Sequence, residues 1–203
     1  MDLHVENLTQ RFGFRTVIKE TSFVLLAGQS LVITGDNGSG KTTLVRLLCN
    51  LLTPTAGTIS YRNGKGALEG EDLRGRIGLV GPYLQLYRDL SAIENLAFLA
   101  RGRGEKPDAQ KIRELLEKVG LKGRGKDPLK TYSSGMLQRA KYAAAILHNP
   151  ELLILDEPTA NLDEAGKDMV LAVVNEQSQK GSLIVATNEV EERTWGEQHV
   201  VLA

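Results

Sequence analysis

The chain has 203 residues, enough for one large domain or for one domain with a subdomain. Lys and Arg together number 25, as do Asp and Glu, so the formal net charge is zero and we expect no nucleic-acid partner. One cysteine excludes an internal disulfide, and no run approaches the roughly 18 apolar residues of a membrane span. The first residues also lack the apolar core of a signal peptide, so we expect a cytosolic protein.

Short strands and turns dominate the first part of the chain. Apolar patterns predict strands at 3–8, 22–26, 31–34 and 57–61. Phe12 falls in a polar segment that we expect to be the turn after the first strand. Its ring is expected either to stack on a nucleotide base or to anchor the turn hydrophobically.

A glycine-rich stretch, GDNGSGKTT, follows the third of these strands. It places Gly35, Gly40, Lys41 and Thr42 at the fixed positions of the pattern G-x-x-x-x-G-K-[ST]. Glycines let the backbone N–H groups surround an anion. Apolar residues over 44–51 predict a helix after the loop, and Pro54 would end this helix. The positive N-terminal end of the helix would point at the same anion. The alternative is a glycine-rich turn with an exposed lysine.

The loop is therefore predicted to bind the phosphates of a nucleotide. Lys41 would reach the β- and γ-phosphates, and the Thr42 hydroxyl would ligate Mg²⁺. The predicted phosphate-binding residues are Gly35, Asp36, Asn37, Gly38, Ser39, Gly40, Lys41, Thr42 and Thr43.

After a short buried strand at 77–80, the pattern becomes helical. Ser91 begins a capping-box helix, and Asp108 begins another that Gly120 ends. A third helical pattern follows Ser133, Ser134 and Gly135 and stops before Pro150. A turn of small residues at a helix start is a second anion site, although serine caps are common in proteins.

Two carboxylates follow an apolar strand at 152–155. Asp156 and Glu157 would lie at the carboxyl edge of a parallel sheet, where ligands bind in such folds. Asp156 is predicted to hold Mg²⁺ through its water shell, and Glu157 to polarise a water for attack on the γ-phosphate. The alternative is a pair of surface acids.

A helix beginning at Asp163 leads to a strand at 183–186, which brings Asn188 to the same edge of the sheet.

Together, these motifs resemble the ATP-binding cassette (ABC) subunits of ABC transporters over nearly the full length of the chain. The resemblance implies an α/β fold with a P-loop NTPase core, in which a mixed sheet is flanked by helices, plus an antiparallel β subdomain and a small helical subdomain. It implies a single domain, 1–203, with the nucleotide-binding core at 1–82 and 150–203. The helical subdomain, with the family's signature motif, would be 83–149.

The resemblance also implies a role for each motif. Phe12 matches the adenine-stacking aromatic, 35–43 the Walker A motif, 152–157 the Walker B motif, and 132–136 (YSSGM) the signature LSGGQ. In such proteins two cassettes pair head to tail, and the signature of one closes on the γ-phosphate held by the other. This implies a homodimer with two composite ATP–Mg²⁺ sites, bound to integral membrane subunits at the inner face of the cell membrane.

Four positions depart from the family pattern. Ser134 and Met136 replace a glycine and a glutamine of the signature. Pro82 stands where a glutamine usually contacts Mg²⁺ and the membrane subunit, so either Gln85 substitutes or that contact is absent. Asn188 replaces a histidine, and an amide cannot carry positive charge, so we expect slower hydrolysis than in histidine-bearing relatives.

The resemblance implies an ATPase subunit that drives separate membrane subunits. The residues predicted to act in hydrolysis are Glu157, Lys41 and Asn188. The shortness of the chain and the stretch GPYLQLYRDLSAIENL also resemble the haem exporter ATPases of cytochrome c maturation. Two alternatives are an ATP-dependent assembly module with weak hydrolysis, and a soluble ABC-type ATPase of translation or DNA repair.

Overall fold

The computed structural model describes residues 1–202, which form two β-sheets and the helices around them. The strands are β1 (Asp2–Phe12), β2 (Arg15–Leu25), β3 (Ser30–Thr34), β4 (Ala56–Asn63), β5 (Gly66–Leu68), β6 (Ile77–Val80), β7 (Leu152–Asp156), β8 (Ser182–Ala186) and β9 (Gln198–Val201). The α-helices are α1 (Lys41–Leu48), α2 (Gly70–Arg74), α3 (Ala92–Gly102), α4 (Ala109–Lys118), α5 (Ser134–Ile146) and α6 (Glu164–Lys180). Two 3-10 turns lie at Leu129–Thr131 and Glu191–Trp195.

The central sheet has five strands in the order β6-β7-β8-β3-β9. Strands β3, β7 and β8 are buried along their whole length, which explains their nearly continuous apolar sequences, because helices and the second sheet cover both faces. The predicted α/β class is confirmed. The sheet was expected to be mixed, but every pair within it is parallel, and the antiparallel pairs all lie in the second sheet.

The second sheet is antiparallel, in the order β2-β1-β4-β5. Strand β1 extends beyond the predicted 3–8 because it is paired on both sides, with β2 and with β4. Phe12 is therefore the last residue of β1, opposite Arg15, rather than part of the turn. The turn is formed by Gly13 and Phe14, and Gly13 has a φ of 58°.

Helix α1 is shorter than predicted. It ends at Leu48 because Asn50 adopts a left-handed conformation with a φ of 53°. The N–H of Asn50 donates to the carbonyl of Leu47 at 3.0 Å, and the N–H of Leu51 donates to the carbonyl of Arg46 at 2.9 Å. This hydrogen-bond pattern is a Schellman motif, so it, and not Pro54, ends the helix.

Helices α3, α4 and α5 pack together, and the predicted caps at their starts are present. Ser91 forms the capping box of α3, Asp108 caps α4, and Ser133 caps α5. Apolar side chains of these helices form one continuous cluster with one face of β7 and β8 and with α6. A second cluster joins the opposite face of the central sheet to α1 and to the antiparallel sheet.

None of the helices within residues 1–202 combines the length and the apolar character that crossing a membrane requires.

Candidate active site

The glycine-rich loop joins β3 to α1, and the side chain of its lysine points into the loop. The ammonium group of Lys41 donates to the carbonyl of Gly35 at 2.7 Å and to that of Asp36 at 3.2 Å. Gly40 is the N-cap of α1 with a φ of 104°, so the first N–H groups of the helix face the interior of the loop. Backbone donors and a buried ammonium thus surround the space where an anion would lie.

Neighbouring elements leave no room for side chains at two of the loop's glycines. A Cβ atom on Gly35, whose φ is 149°, would lie 2.4 Å from the carbonyl oxygen of Leu202. A Cβ atom on Gly40 would lie 2.8 Å from Cγ1 of Val17 and 2.9 Å from Cδ1 of Ile18. Both glycines are therefore required by space as well as by backbone conformation.

The two predicted carboxylates follow one another at the end of β7. Asp156 is 1% exposed, and neither of its carboxylate oxygens has a hydrogen-bond partner within residues 1–202. Burial raises the pKa of Asp156, while the Thr42 hydroxyl and the Lys41 ammonium act in the opposite direction. Asp156 is thus a buried acid whose charge is only partly compensated by Thr42 and Lys41.

Glu157 is held in an unusual backbone conformation for a side chain of its size, with a φ of 51°. Its N–H donates to the carbonyl of Ala186 at 2.9 Å, which fixes the main chain of Glu157 at the edge of the sheet. Burial raises the pKa of Glu157, and the negative charges of Asp156, Glu192 and Glu189 add to the rise, while Lys41 opposes it. A carboxylate with a raised pKa is a better proton acceptor than an ordinary one.

The residues at this edge fit a magnesium ion. Mg²⁺ in nucleotide sites uses one or two protein ligands together with phosphate and water. The two unpartnered oxygens of Asp156 provide such a ligand, and the Thr42 hydroxyl lies close enough to influence the pKa of that carboxyl group. Within residues 1–202, no cluster of three His, Cys, Asp or Glu side chains could hold a metal alone.

A cavity of about 380 Å³ brings several predicted residues together. Its lining includes the aromatic side chain proposed to stack on a base, six residues of the phosphate loop and the second carboxylate. These residues are Phe12, Asn37, Gly38, Gly40, Lys41, Thr42, Thr43 and Glu157. The cavity therefore runs from the β1–β2 hairpin to the carboxyl edge of the central sheet, a path that suits an elongated nucleotide.

The predicted signature residues do not line this cavity. Ser133 and Ser134 are exposed, and the Ser133 hydroxyl accepts a hydrogen bond from the N–H of Met136 at 3.2 Å. Gly135 lies beside the backbone of Asn161, in the segment that follows Glu157. Within one chain, the small-residue turn and the phosphate loop therefore do not share a pocket.

Asn188 reaches the phosphate loop, whereas Gln85 does not. The Asn188 amide donates to Oδ1 of Asn37 at 2.6 Å. Gln85 is exposed, and its amide donates to the carbonyl of Pro82 at 3.3 Å, which directs it back to its own loop. The structure thus gives no support for Gln85 as a replacement of the glutamine expected at Pro82.

Three residues of this region were not identified from the sequence. Arg15 lines the cavity opposite Phe12, and its position in the hairpin was the only available signal. Glu192 is 1% exposed and accepts a hydrogen bond from the Thr159 hydroxyl. It belongs to a polar stretch of sequence, which is typical of an exposed segment. Tyr83 places its hydroxyl oxygen in a buried position after β6.

Comparison with known proteins identifies the family. A family model described as "ABC transporter" matches residues 18–160. This chain belongs to the ABC transporter family. The linearmycin resistance ATP-binding protein LnrL of Bacillus subtilis is 35% identical over 92% of this chain and 60% of its own length.

Other relatives of this ABC protein align with a similarly large share of its chain. The cytochrome c biogenesis ATP-binding export protein CcmA 2 of Cupriavidus metallidurans is 33% identical over 92% of this chain and 89% of its own length. A solved ATP-binding subunit of an ABC transporter superposes with a TM-score of 0.85 at 28% identity, covering 100% of this chain and 86% of that one. The chain spans less than two thirds of three Bacillus subtilis relatives, 60%, 53% and 62% of their lengths.

The family assignment confirms that the chain carries an ABC ATPase domain. The narrower resemblance to haem exporters stays a prediction. CcmA 2 and the antibiotic resistance protein LnrL match over the same share of this chain, at 33% and 35% identity.

Proposed function

We propose that this chain is the ATP-hydrolysing subunit of an ABC transporter and that it acts as a head-to-tail homodimer around two ATP molecules. The observation that carries the proposal is the cavity that joins Phe12, the phosphate loop and Glu157. The cavity runs from an aromatic ring that can stack on a base, along the phosphate-binding loop, to a carboxylate that can accept a proton. This order matches the base and the phosphates of a nucleotide, with the attacking water beyond the γ-phosphate.

Binding of the triphosphate begins at Lys41. Its ammonium donates to the carbonyls of Gly35 and Asp36, and phosphate oxygens would replace these acceptors while the charge stays buried. The backbone N–H groups at the start of α1 add donors with the helix dipole behind them.

Asp156 and Thr42 would hold the Mg²⁺ ion, and Glu157 would act on the attacking water. When bound, Mg²⁺ neutralises charge on the β- and γ-phosphates. The raised pKa of Glu157 suits a residue that accepts a proton from water as the bond to the γ-phosphate forms. Its backbone bond to Ala186 keeps the main chain of Glu157 in place during this step.

A second copy would complete each site. Ser133 and Ser134 are exposed at the start of α5, outside the cavity of their own chain. An isologous pairing would carry this turn to the γ-phosphate of the partner and would form two equivalent sites.

The proposal includes integral membrane subunits as partners, with this subunit peripheral at the inner face of the cell membrane. For the cargo, the sequence resemblance and the relative CcmA 2 support haem export in cytochrome c maturation, while LnrL supports a role in resistance to linearmycin. Identification of the membrane proteins that co-purify with this chain distinguishes these cargoes.

A second candidate is an ATP-dependent assembly module with weak hydrolysis. The observation in its favour is that Asn188 is bonded to Asn37 and carries no positive charge toward the γ-phosphate. In this case, ATP binding and pairing would be the functional events. Turnover would stay low even in the presence of the membrane partners.

The test combines two variants. Lys41→Ala is expected to lose ATP affinity, and Glu157→Gln is expected to form a stable dimer with ATP, measured by light scattering after size-exclusion chromatography. Full nucleotide affinity in Lys41→Ala, or a Glu157→Gln protein that stays monomeric with ATP, would contradict the proposal. ATP hydrolysis measured with and without the membrane partners separates the transporter subunit from the assembly module.

A further inference from the structure

The position of Tyr83 follows from the register of the central sheet. Val80 of β6 is paired with Leu155 of β7, so Gly81 lies beside Asp156 at the same edge. The ring of Tyr83 folds back over this point. A Cβ atom on Gly81 would lie 3.1 Å from Cζ of Tyr83 and 3.3 Å from its hydroxyl oxygen.

Arg46 also lies close to the Tyr83 ring. Its guanidinium carbon lies 5.9 Å from the centre of the Tyr83 ring, a distance typical of a cation–π contact. Arg46 belongs to α1, the helix that begins in the phosphate loop. Tyr83 therefore packs between the loop after β6 and the first helix, and its position is tied to that of the phosphate loop.

The hydroxyl of Tyr83 lacks a partner of its own. Its oxygen is buried with no hydrogen-bond partner within residues 1–202, and the same is true of both carboxylate oxygens of Asp156. A phenolic hydroxyl keeps its proton at neutral pH and can donate it. A buried donor without an acceptor thus lies at the sheet edge that carries the Asp156 carboxylate, on which the Thr42 hydroxyl also acts.

The position of the Tyr83 hydroxyl is relevant to the Mg²⁺ contact that a glutamine at position 82 would make. Pro82 cannot donate, and Gln85 is bonded to the carbonyl of Pro82 at the surface. Tyr83 is the side chain of this loop whose polar atom is buried near Asp156.

We propose that Tyr83 is a positioning residue of the ATP site, whose hydroxyl donates a hydrogen bond to Asp156 and orients this carboxylate toward Mg²⁺. The inference rests on the proposed function, because the metal is needed only if ATP is bound. The bond forms when Asp156 turns to hold the ion. One carboxylate oxygen then accepts from Tyr83, and the other is free for the metal and its water.

The experiment measures metal affinity without turnover. In the Glu157→Gln background with ATP bound, Mn²⁺ is titrated as a probe and followed by electron paramagnetic resonance. Tyr83→Phe, which keeps the ring and its contact with Arg46, is expected to weaken Mn²⁺ binding about tenfold. The affinity for ATP without metal should stay unchanged, because the phosphate loop is intact.

Two variants of the same loop serve as controls. Gln85→Ala tests the other polar side chain, and Tyr87→Phe removes a hydroxyl from an exposed tyrosine that stacks on Phe98. Both are expected to leave Mn²⁺ affinity unchanged. In the chain with Glu157 intact, Tyr83→Phe should raise the half-saturating Mg²⁺ concentration about tenfold, and kcat should recover at high Mg²⁺.

An unchanged Mn²⁺ affinity in Tyr83→Phe, or an equal loss in Gln85→Ala, overturns the inference and leaves the proposed function standing. If the Glu157→Gln protein binds no ATP, the proposed function itself has failed.

Discussion

The side-chain amide of Asn188 donates a hydrogen bond to Oδ1 of Asn37 at 2.6 Å. The bond joins the segment after β8 to Asn37 of the phosphate loop, which lines the cavity. Asn188 is thus tied to the proposed phosphate-binding loop, although its amide brings no positive charge there.

We expect Asn188→His to raise ATP turnover about tenfold, because an imidazolium stabilises the charge that develops on the transferred phosphoryl group. Steady-state phosphate release with the membrane partners present measures this effect. Asn188→Ala serves as the comparison and should fall below the original rate, since it removes the only polar group at this position. Equal rates for asparagine and histidine would show that the residue has no part in hydrolysis.

Phe12→Ala should weaken ATP binding about tenfold, because base stacking on an aromatic ring contributes roughly 1–3 kcal/mol. The kcat at saturating ATP should stay the same. Phe14→Ala is a matched control, since Phe14 is fully exposed at the tip of the same hairpin and does not line the cavity. Isothermal titration with ATP measures both variants, and equal affinities for the two would remove Phe12 from the site.

Asp156→Asn should stabilise the nucleotide-free protein while abolishing Mg²⁺-dependent hydrolysis. The pKa of Asp156 is raised above its ordinary 3.8 in the folded state, so the ionised form lowers the free energy of unfolding at pH 7. This penalty disappears as the pH falls below the unfolded value. Removing the charge should therefore add on the order of 1 kcal/mol, or about 3 °C in Tm, at pH 7 and little at about pH 3.

Asp163 supplies the control of opposite sign for that measurement. Arg139 and the N–H of Gly166 hold the pKa of Asp163 below its ordinary value, so its charge stabilises the folded state above that value. Asp163→Asn should lower Tm at pH 7, and the difference should vanish as the pH falls through the folded pKa. If both variants shifted Tm in the same direction, the burial argument for Asp156 would be wrong.

Gly40→Ala should lower the free energy of unfolding by about 2 kcal/mol or more and weaken ATP binding. Its φ of 104° disfavours any side chain, and the added Cβ would lie 2.8 Å from Val17. Gly64→Ala is the control, because a Cβ there meets nothing within 4 Å. Urea unfolding curves for the two variants give the comparison, and a Gly40→Ala protein as stable as Gly64→Ala would refute the steric argument.

Features determined by neighbouring residues in the chain could be predicted from the sequence. The capping box at Ser91 and the cap at Asp108 depend on side chains within one helical turn, and both are present. The buried strand before Asp156 is equally visible, because a strand covered on both faces needs a continuous apolar run.

Features determined by distant partners could not be predicted in this way. The length of β1 depends on pairing with two strands, and the end of α1 depends on a left-handed Asn50, a conformation that most asparagines do not adopt. The buried positions of Tyr83 and Glu192 depend on loops that fold back onto the sheet edge. A tyrosine or glutamate in a polar stretch carries no local sign of this.

The hydroxyl of Tyr142 donates to the carbonyl of Pro158 at 2.8 Å, and Tyr142 belongs to the helix that begins at Ser134. The exposed end of α5 is thereby connected to the residue next to Glu157. In the proposed pair of chains, the start of α5 would contact the neighbour's nucleotide. The effect of this contact would be transmitted to Glu157 of the same subunit. Occupancy of one pocket would then alter the other, and ATP turnover would rise sigmoidally with nucleotide concentration.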